Sequence, residues 1–447
     1  MNQHLASISL CSLLAASAVA LPLVGGPSEA SDERLERLER WTEEVSPQVE
    51  ELRGLEFKQP VEVEIATAED FRAYAQKQLA KMGSEGEREA LELAAKMLGL
   101  FPAEEDFWEA MIGLLTGQVG GYYDPDTKSF SMMEGVEGAL AKQTLSHELV
   151  HALEDQHFGL GETLEELSFD SDRAAAFHAV AEGTATLVAN RWLLENFSQF
   201  SLDEILELTE AAEQQELFQA APVLWLPTVF SYLGGQTFLH ASHSLMAAQL
   251  QPFDEERLNR AFLEPPVSTE QVLHPEKYWD AEAIDLPEQL AIAPLEGWVV
   301  LEDDTLGEVV LSLVARGDGF EAPDPEDGEA LYNLRFTVPA SEGWGGDRWQ
   351  LLASGDARAL ALATSWDTED DRDEWHAALE AQLETLRKSA ATLADGGPSS
   401  VSLRKQGPRL SLLVVLTGTG TPPLTSEARA LVDLLEVTRS AGPPSDG

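Results

Sequence analysis

The segment Thr144-Leu145-Ser146-His147-Glu148-Leu149-Val150-His151-Ala152-Leu153 restricts this chain more than any other stretch. Two histidines one helical turn apart point their imidazoles to the same side, where both can reach one divalent cation. The enclosed Glu148 then lies within reach of a water on that cation. Leu145, Leu149, Val150, Ala152 and Leu153 are apolar and no proline interrupts them, as a buried helix requires.

Zinc in a hydrolytic site takes three protein ligands and a water, so a third donor is required downstream. His157 has the spacing of the HExxHxxGxxH pattern, but that pattern breaks its helix with a glycine, and here Glu154 holds the glycine position. The first natural stop is Gly159. A helix that runs to it carries His157 off the ligand face at about 100° per residue. Glu182 lies in Ala174-Ala175-Ala176-Phe177-His178-Ala179-Val180-Ala181-Glu182-Gly183-Thr184-Ala185, an alanine-rich helix almost free of charge. A lone carboxylate there is costly to bury unless a cation meets it, and its small neighbours allow close packing. Glu182 is therefore the preferred third ligand, with His178 and His157 as alternatives.

His147 to His151 followed by a glutamate on a later helix resembles the glutamate-zincin (gluzincin) metallopeptidases. The longer string His147 to Phe158, with Ala181-Glu182-Gly183, is similar to a group of uncharacterised exported bacterial metallopeptidase-like proteins. In that group the glutamate is usually followed by Gly-Asp-Ala; this chain has Gly183-Thr184-Ala185 and lacks that carboxylate. The likeness extends through Leu55-Glu56-Phe57, Gly121 to Pro125, Pro265 to Tyr278 and Gly343 to Arg348. It implies a shared fold rather than a substrate; the HExxH frame itself gives the reading of a Zn²⁺ site of His147, His151 and Glu182, with Glu148 as general base and a peptide or protein as substrate. A binding module that retains a zincin fold without catalysis is the alternative, and a metallohydrolase acting on something other than peptides is a further one.

The remaining sequence sets the frame for that site. The apolar, small-residue stretch Leu5 to Ala20 ends in Ala18-Val19-Ala20 and reads as a signal peptide over 1–20, with a linker over 21–30. An exported protein follows: periplasmic, cell-surface or secreted. The single cysteine, Cys11, falls inside the leader, so the mature chain would have neither thiol nor disulfide. Asp+Glu 79 against Lys+Arg 29 gives a formal charge of −50, which repels nucleic acid and anionic lipid. The stretch from Leu217 to Phe253 carries no Asp, Glu, Lys or Arg, but Pro222, Pro227, Gly234-Gly235, Gln236, His240 and His243 argue for two short buried helices rather than a membrane span.

Periodicity predicts helices over Ser31 to Leu55, Thr67 to Met82 and Glu85 to Leu98, a strand over Pro60 to Ile65, and a hairpin over Gln118 to Met133. The hairpin precedes the metal helix, where an edge strand can pair with an extended substrate and Gly120-Gly121 can let it approach. Beyond Pro265-Pro266, the rigid loop carrying Ser268, His274 and Tyr278 offers His274 and Tyr278 as catalytic donors to the oxyanion of a tetrahedral intermediate. From Trp298 on, apolar runs at Val299 to Leu301, Val309 to Leu311, Leu331 to Val338, Trp349 to Leu352 and Ala359 to Ala363 read as strands. A helix over Asp371 to Leu386 and a hairpin around Gln406-Gly407-Pro408 follow. Gly345-Gly346-Asp347-Arg348 reads as a turn, with Arg348 free to pair with an acidic group at a domain junction. The expected architecture is α+β. A mainly helical zincin-like core with a short substrate-edge sheet occupies 31–295, a small α+β unit 296–439, and a disordered tail 440–447.

Overall fold

The computed structural model describes residues 31–81, 83–205, 217–324, 330–331, 333–418 and 427–440. The expected leader with Cys11, the linker over 21–30 and the tail beyond Ser440 lie outside the described residues. The fold is α+β, mainly helical with small sheets.

Helix α1 (Ser31–Arg53) buries Leu38, Val45 and Val49, the face its periodicity marks. Strand β1 (Glu62–Ala66), α2 (Ala68–Lys81) and α3 (Glu85–Met97) fall where their patterns place them. Ser84 starts α3 through a reciprocal capping box with Glu87. A helix the periodicity did not single out, α4 (Phe107–Gln118), begins at Asp106, whose carboxylate accepts from the Glu109 amide. Phe107, Trp108, Met111, Ile112 and Leu115 are buried along one face, but the opposite face carries Gly113 and Gly117 with Glu109 as its one charge, so the amphipathic signal is weak.

The hairpin follows as β2 (Gly121–Asp124) and β3 (Ser129–Met133). Strand β3 is central, with β1 parallel on one side and β2 antiparallel on the other, so β2 is an edge. A Cβ at Gly121 would sit 2.7 Å from the Phe130 ring, so packing inside the hairpin accounts for this glycine without any approaching substrate.

Helix α5 (Gly138–Phe158) carries the two histidines and packs on α1, β2 and β3. It ends at Gly159, whose φ of 66° suits a residue without a side chain. The short α6 (Leu160–Leu167) turns the chain into α7 (Ser171–Asn196), which bears Glu182. The charge-free stretch then forms the long α8 (Pro222–Leu239) and the short α9 (Leu245–Leu250). Among the described residues, no helix is long and apolar enough to cross a membrane. Helices α7 and α8 meet backbone to backbone: a Cβ at Gly235 would lie 1.9 Å from the Ala179 carbonyl oxygen, and one at Gly183 2.5 Å from the Gly235 carbonyl carbon.

Helices α10 (Glu255–Leu263), α11 (Thr269–Leu273) and α12 (Glu276–Trp279) lead to β4 (Gln289–Ile292), β5 (Val299–Asp304) and α13 (Gly307–Arg316). Here the strand expected at Val309 to Leu311 is helix, because Leu313 and Val314 extend its apolar residues at helical spacing, with Val309, Leu311, Leu313 and Val314 buried and Val310 half-buried. No strand covers the described part of Leu331 to Val338. Strands β6 (Trp344–Ser354) and β7 (Ala357–Trp366), α14 (Glu369–Leu393), and β8 (Ser399–Gln406) and β9 (Leu410–Thr417) complete the sheet β5-β6-β7-β9-β8. Gly345 to Arg348 thus begins a strand instead of forming a turn; the register shifts between Trp344 and Gly346, a bulge the glycines permit. Arg348 pairs with Asp303 on the neighbouring strand, within this unit rather than at a junction.

Both faces of that sheet are covered. Leu360, Leu362, Leu413 and Val415 join the main core beneath α14, while Ala359, Ala361, Ala363, Leu412 and Val414 face the other way. That second face is closed by β4, α15 (Glu427–Leu434) and β10 (Val437–Ser440), which pairs antiparallel with β4. Trp344, Trp349, Trp366 and Trp375 share one cluster with the buried residues of α1, α3 and α5, so the helical and sheet portions have a continuous core.

Candidate metal centre

Helix α5 presents His147 and His151 toward α7, and their Nε2 atoms lie 3.1 Å apart. Glu182 Oε2 stands 3.2 Å from His147 Nε2 and 3.5 Å from His151 Nε2. All three side chains are buried and form a three-donor group able to hold a metal ion. Ligands about 2.0–2.1 Å from a tetrahedral zinc are separated by roughly 3.3 Å, so this triangle has the right edge lengths for that ion.

The electrostatics fit the same description. Burial lowers the His147 pKa and outweighs the Glu182 hydrogen bond that raises it. Burial also acts to lower His151, but the charge of Glu182 prevails and His151 is pushed up to about 9. Burial would raise Glu182, yet the charge of His151 and the hydrogen bond to His147 hold it well below the carboxylate range. The buried Glu182 carboxylate thus favours positive charge beside it, which a proton on an imidazole or a bound cation can supply.

Glu148 is fully buried in the turn between the histidines, and its charge acts on His151. One turn beyond His151, Asp155 accepts from the Tyr123 hydroxyl at 2.9 Å and the Lys128 ammonium at 2.6 Å, tying α5 to the hairpin. Glu154, at the position the competing pattern gives to glycine, is buried and accepts from Arg53 Nε at 2.7 Å. Burial raises Glu154 to about 7 against the pull of Arg53, which itself packs beside the stacked Phe158 and Phe262 rings. His157 faces outward and meets the Glu56 carbonyl at 2.8 Å, so it is not with the ligands.

His178, the other alternative, is on α7 one turn before Glu182. With His151, Glu182 and Tyr123 it lines a cavity of about 30 Å³, enough for one water-sized molecule. Neither of its ring nitrogens has a partner among the described residues, and burial lowers its pKa to about 4. Thr184, where the resembled group has aspartate, is buried and donates to the Val180 carbonyl, so no carboxylate stands there.

A family profile described as a domain of unknown function, DUF8575, matches residues 298–419. No curated protein and no solved structure matches the chain. The matched span covers the five-stranded sheet and α14 and excludes every residue of the three-donor group.

The expected oxyanion donors are not at this site. His274 binds the buried Glu308 at 3.1 Å, and Ser268 is spent capping α11. Tyr278 donates to the Glu264 carbonyl and packs on Phe238 and Trp279. Pro275 opens the short α12 and turns Tyr278 onto the end of α8, and neither residue lines a cavity beside the ligands. The aromatic ring that does reach the metal group is Tyr232 on α8, stacked on His147 with centroids 5.8 Å apart. Sequence reasoning placed this helix around the site but did not single out Tyr232. The only available signal was a tyrosine close to the Gly234-Gly235 pair that lets α8 approach α7.

Proposed function

We propose that the chain is a zinc-dependent metallopeptidase with a zincin-like core, in which His147, His151 and Glu182 hold the ion. The observation that carries this reading is the buried donor triangle, with edges of 3.1, 3.2 and 3.5 Å and a glutamate between its two histidines. When bound, the ion supplies Lewis acidity and lowers the pKa of a coordinated water. Glu148 takes the proton of the attacking water and delivers it to the leaving amine. Tyr232, whose ring stacks on His147, takes in this reading the oxyanion-donor role expected of His274 and Tyr278. The apolar leader supports an exported enzyme.

The test is zinc per chain, measured by elemental mass spectrometry on the purified protein and its Glu182→Ala variant. About one zinc in the parent and much less in the variant supports the reading. A parent without zinc after reconstitution overturns it and favours the binding module.

A further inference from the structure

A second cavity, of about 310 Å³, opens on the other side of the metal group, with His147 and Tyr232 in its wall. Most of its surface is apolar, supplied by Leu115, Leu224, Trp225 and Val229 among others, and apart from His147, whose pKa burial lowers, the described lining holds no acidic or basic side chain. An apolar cavity of about 150 Å³ accepts benzene, so this one has room for a fused two-ring group.

The polar atoms without a partner in its wall, among the described residues, are the Oε1 atoms of Gln236 and Gln118 and the hydroxyl of Thr186, which can donate as well as accept. Gln236 is fully buried and donates from Nε2 to the Tyr232 carbonyl at 3.0 Å, which fixes its amide orientation; among the described residues nothing donates to its Oε1. Gln118, at the end of α4, is also buried with an unpartnered Oε1. Unpaired buried acceptors are costly, so an occupant that brings a donor is favoured over one that does not. A lysine or arginine brings donors, but also a charge that nothing in this lining neutralises. A large flat apolar group with a single N–H meets all three conditions.

We propose that this cavity is the side-chain subsite for tryptophan beside the cleaved bond, its indole N–H satisfied by Gln236 or Gln118. The inference rests on the metallopeptidase reading for the words "cleaved bond" alone; the cavity and its acceptors are independent of the ion.

The experiment uses the full chain carrying Glu148→Gln and reconstituted with zinc, so that bound peptides persist. Short blocked peptides carrying tryptophan, 2-naphthylalanine or alanine on either side of the central bond are titrated in by calorimetry, and zinc content is read separately. Tryptophan should bind at least about tenfold tighter than naphthylalanine, which matches its size but lacks the donor, and about a hundredfold tighter than alanine. Gln236→Leu should bring tryptophan and naphthylalanine close together, and Val229→Trp, which fills the partly buried wall, should abolish the preference, both with zinc content unchanged. Equal binding of tryptophan and naphthylalanine, or of tryptophan and alanine, overturns the proposal. Absence of zinc with the indole preference intact overturns the peptidase reading and leaves the subsite standing.

Discussion

Replacing Gly235 with alanine tests whether the contact between α7 and α8 sets the metal group. The added Cβ would fall 1.9 Å from the Ala179 carbonyl oxygen and 2.9 Å from Gly183 Cα, both backbone atoms that no rotamer change can move aside. Ordinary carbon–oxygen contact needs over an ångström more, so the helices must separate by about that much. Alanine within a helix is worth about 1 kcal/mol over glycine, whereas overpacking of a close core contact costs about 3 kcal/mol or more. The net expectation is a loss of about 2 kcal/mol or more, a fall of several degrees in Tm for a chain of this size. Since Ala179 and Gly183 flank Glu182, the same displacement should weaken zinc binding at least about tenfold. Gly113→Ala is the control: it lies in α4 with nothing within 4 Å of the added Cβ, and should leave zinc unchanged and raise stability slightly. Thermal unfolding and zinc competition with a chromogenic chelator read both quantities. A Gly235→Ala protein with the parent's Tm and zinc affinity would refute the reasoning.

Other expectations follow from the same geometry. Glu148→Gln should retain zinc and lose at least about a hundredfold in turnover on a cleaved peptide, since only the proton acceptor is removed; unchanged hydrolysis would sink its assignment as base. Arg53→Met leaves Glu154 buried without its partner and should cost about 3 kcal/mol or more by chemical denaturation, whereas an effect below about 1 kcal/mol would mean that Glu154 is buried as a neutral acid. Burial holds Asp347 at about 6, Glu302 at about 7 and Glu270 at about 8, each above its unfolded value; Lys277 opposes the shift at Glu270. Their contribution to stability is therefore fully present below about pH 4 and lost as pH rises from about 4 to 8, so Asp347→Asn should flatten the lower part of the Tm-against-pH curve; an unaltered slope between pH 4 and 6 would contradict this. His178→Ala should perturb the visible spectrum of the cobalt-substituted protein, because His178 shares its cavity with His151 and Glu182, and identical spectra would place it outside the metal's environment.

The three-donor group was legible because each of its parts has a local cause. The spacing of His147 and His151 puts both imidazoles on one face of any helix that includes them, and Gly159 ends that helix after His157 has already rotated away. Glu182 was legible by elimination of cost, as a carboxylate in an alanine-rich helix that could be buried only against a cation. The hairpin of the first sheet and the strands of the second were legible where turn residues bracket period-two or continuous apolar runs, as at Gln406-Gly407-Pro408. Val309 to Leu311 was not, because three apolar residues in a row fit a strand and a buried helix equally, and only the packing of α13 decides between them.

Tyr232 and His274 show where such reasoning stops. A donor opposite a metal is defined by the approach of one element to another, and nothing local to either residue encodes that distance. His274 sits in a proline-bounded loop that looked rigid enough for catalysis, and the rigidity is real, but it holds the imidazole against Glu308, a partner thirty-four positions further along the chain. Tyr232 lies in a helix that reads as plain core, and its ring reaches His147 where glycines at 183 and 235 let two backbones meet. The same close approach brings Gln236, one turn beyond Tyr232, into the wall of the large cavity with its oxygen unpaired. A pair of glycines thus links the position of Glu182, the aromatic ring over His147, and an unpaired acceptor in the cavity wall. Changes at Gly183 or Gly235 should therefore disturb zinc affinity and peptide preference together, whereas changes at Gln236 should disturb preference alone.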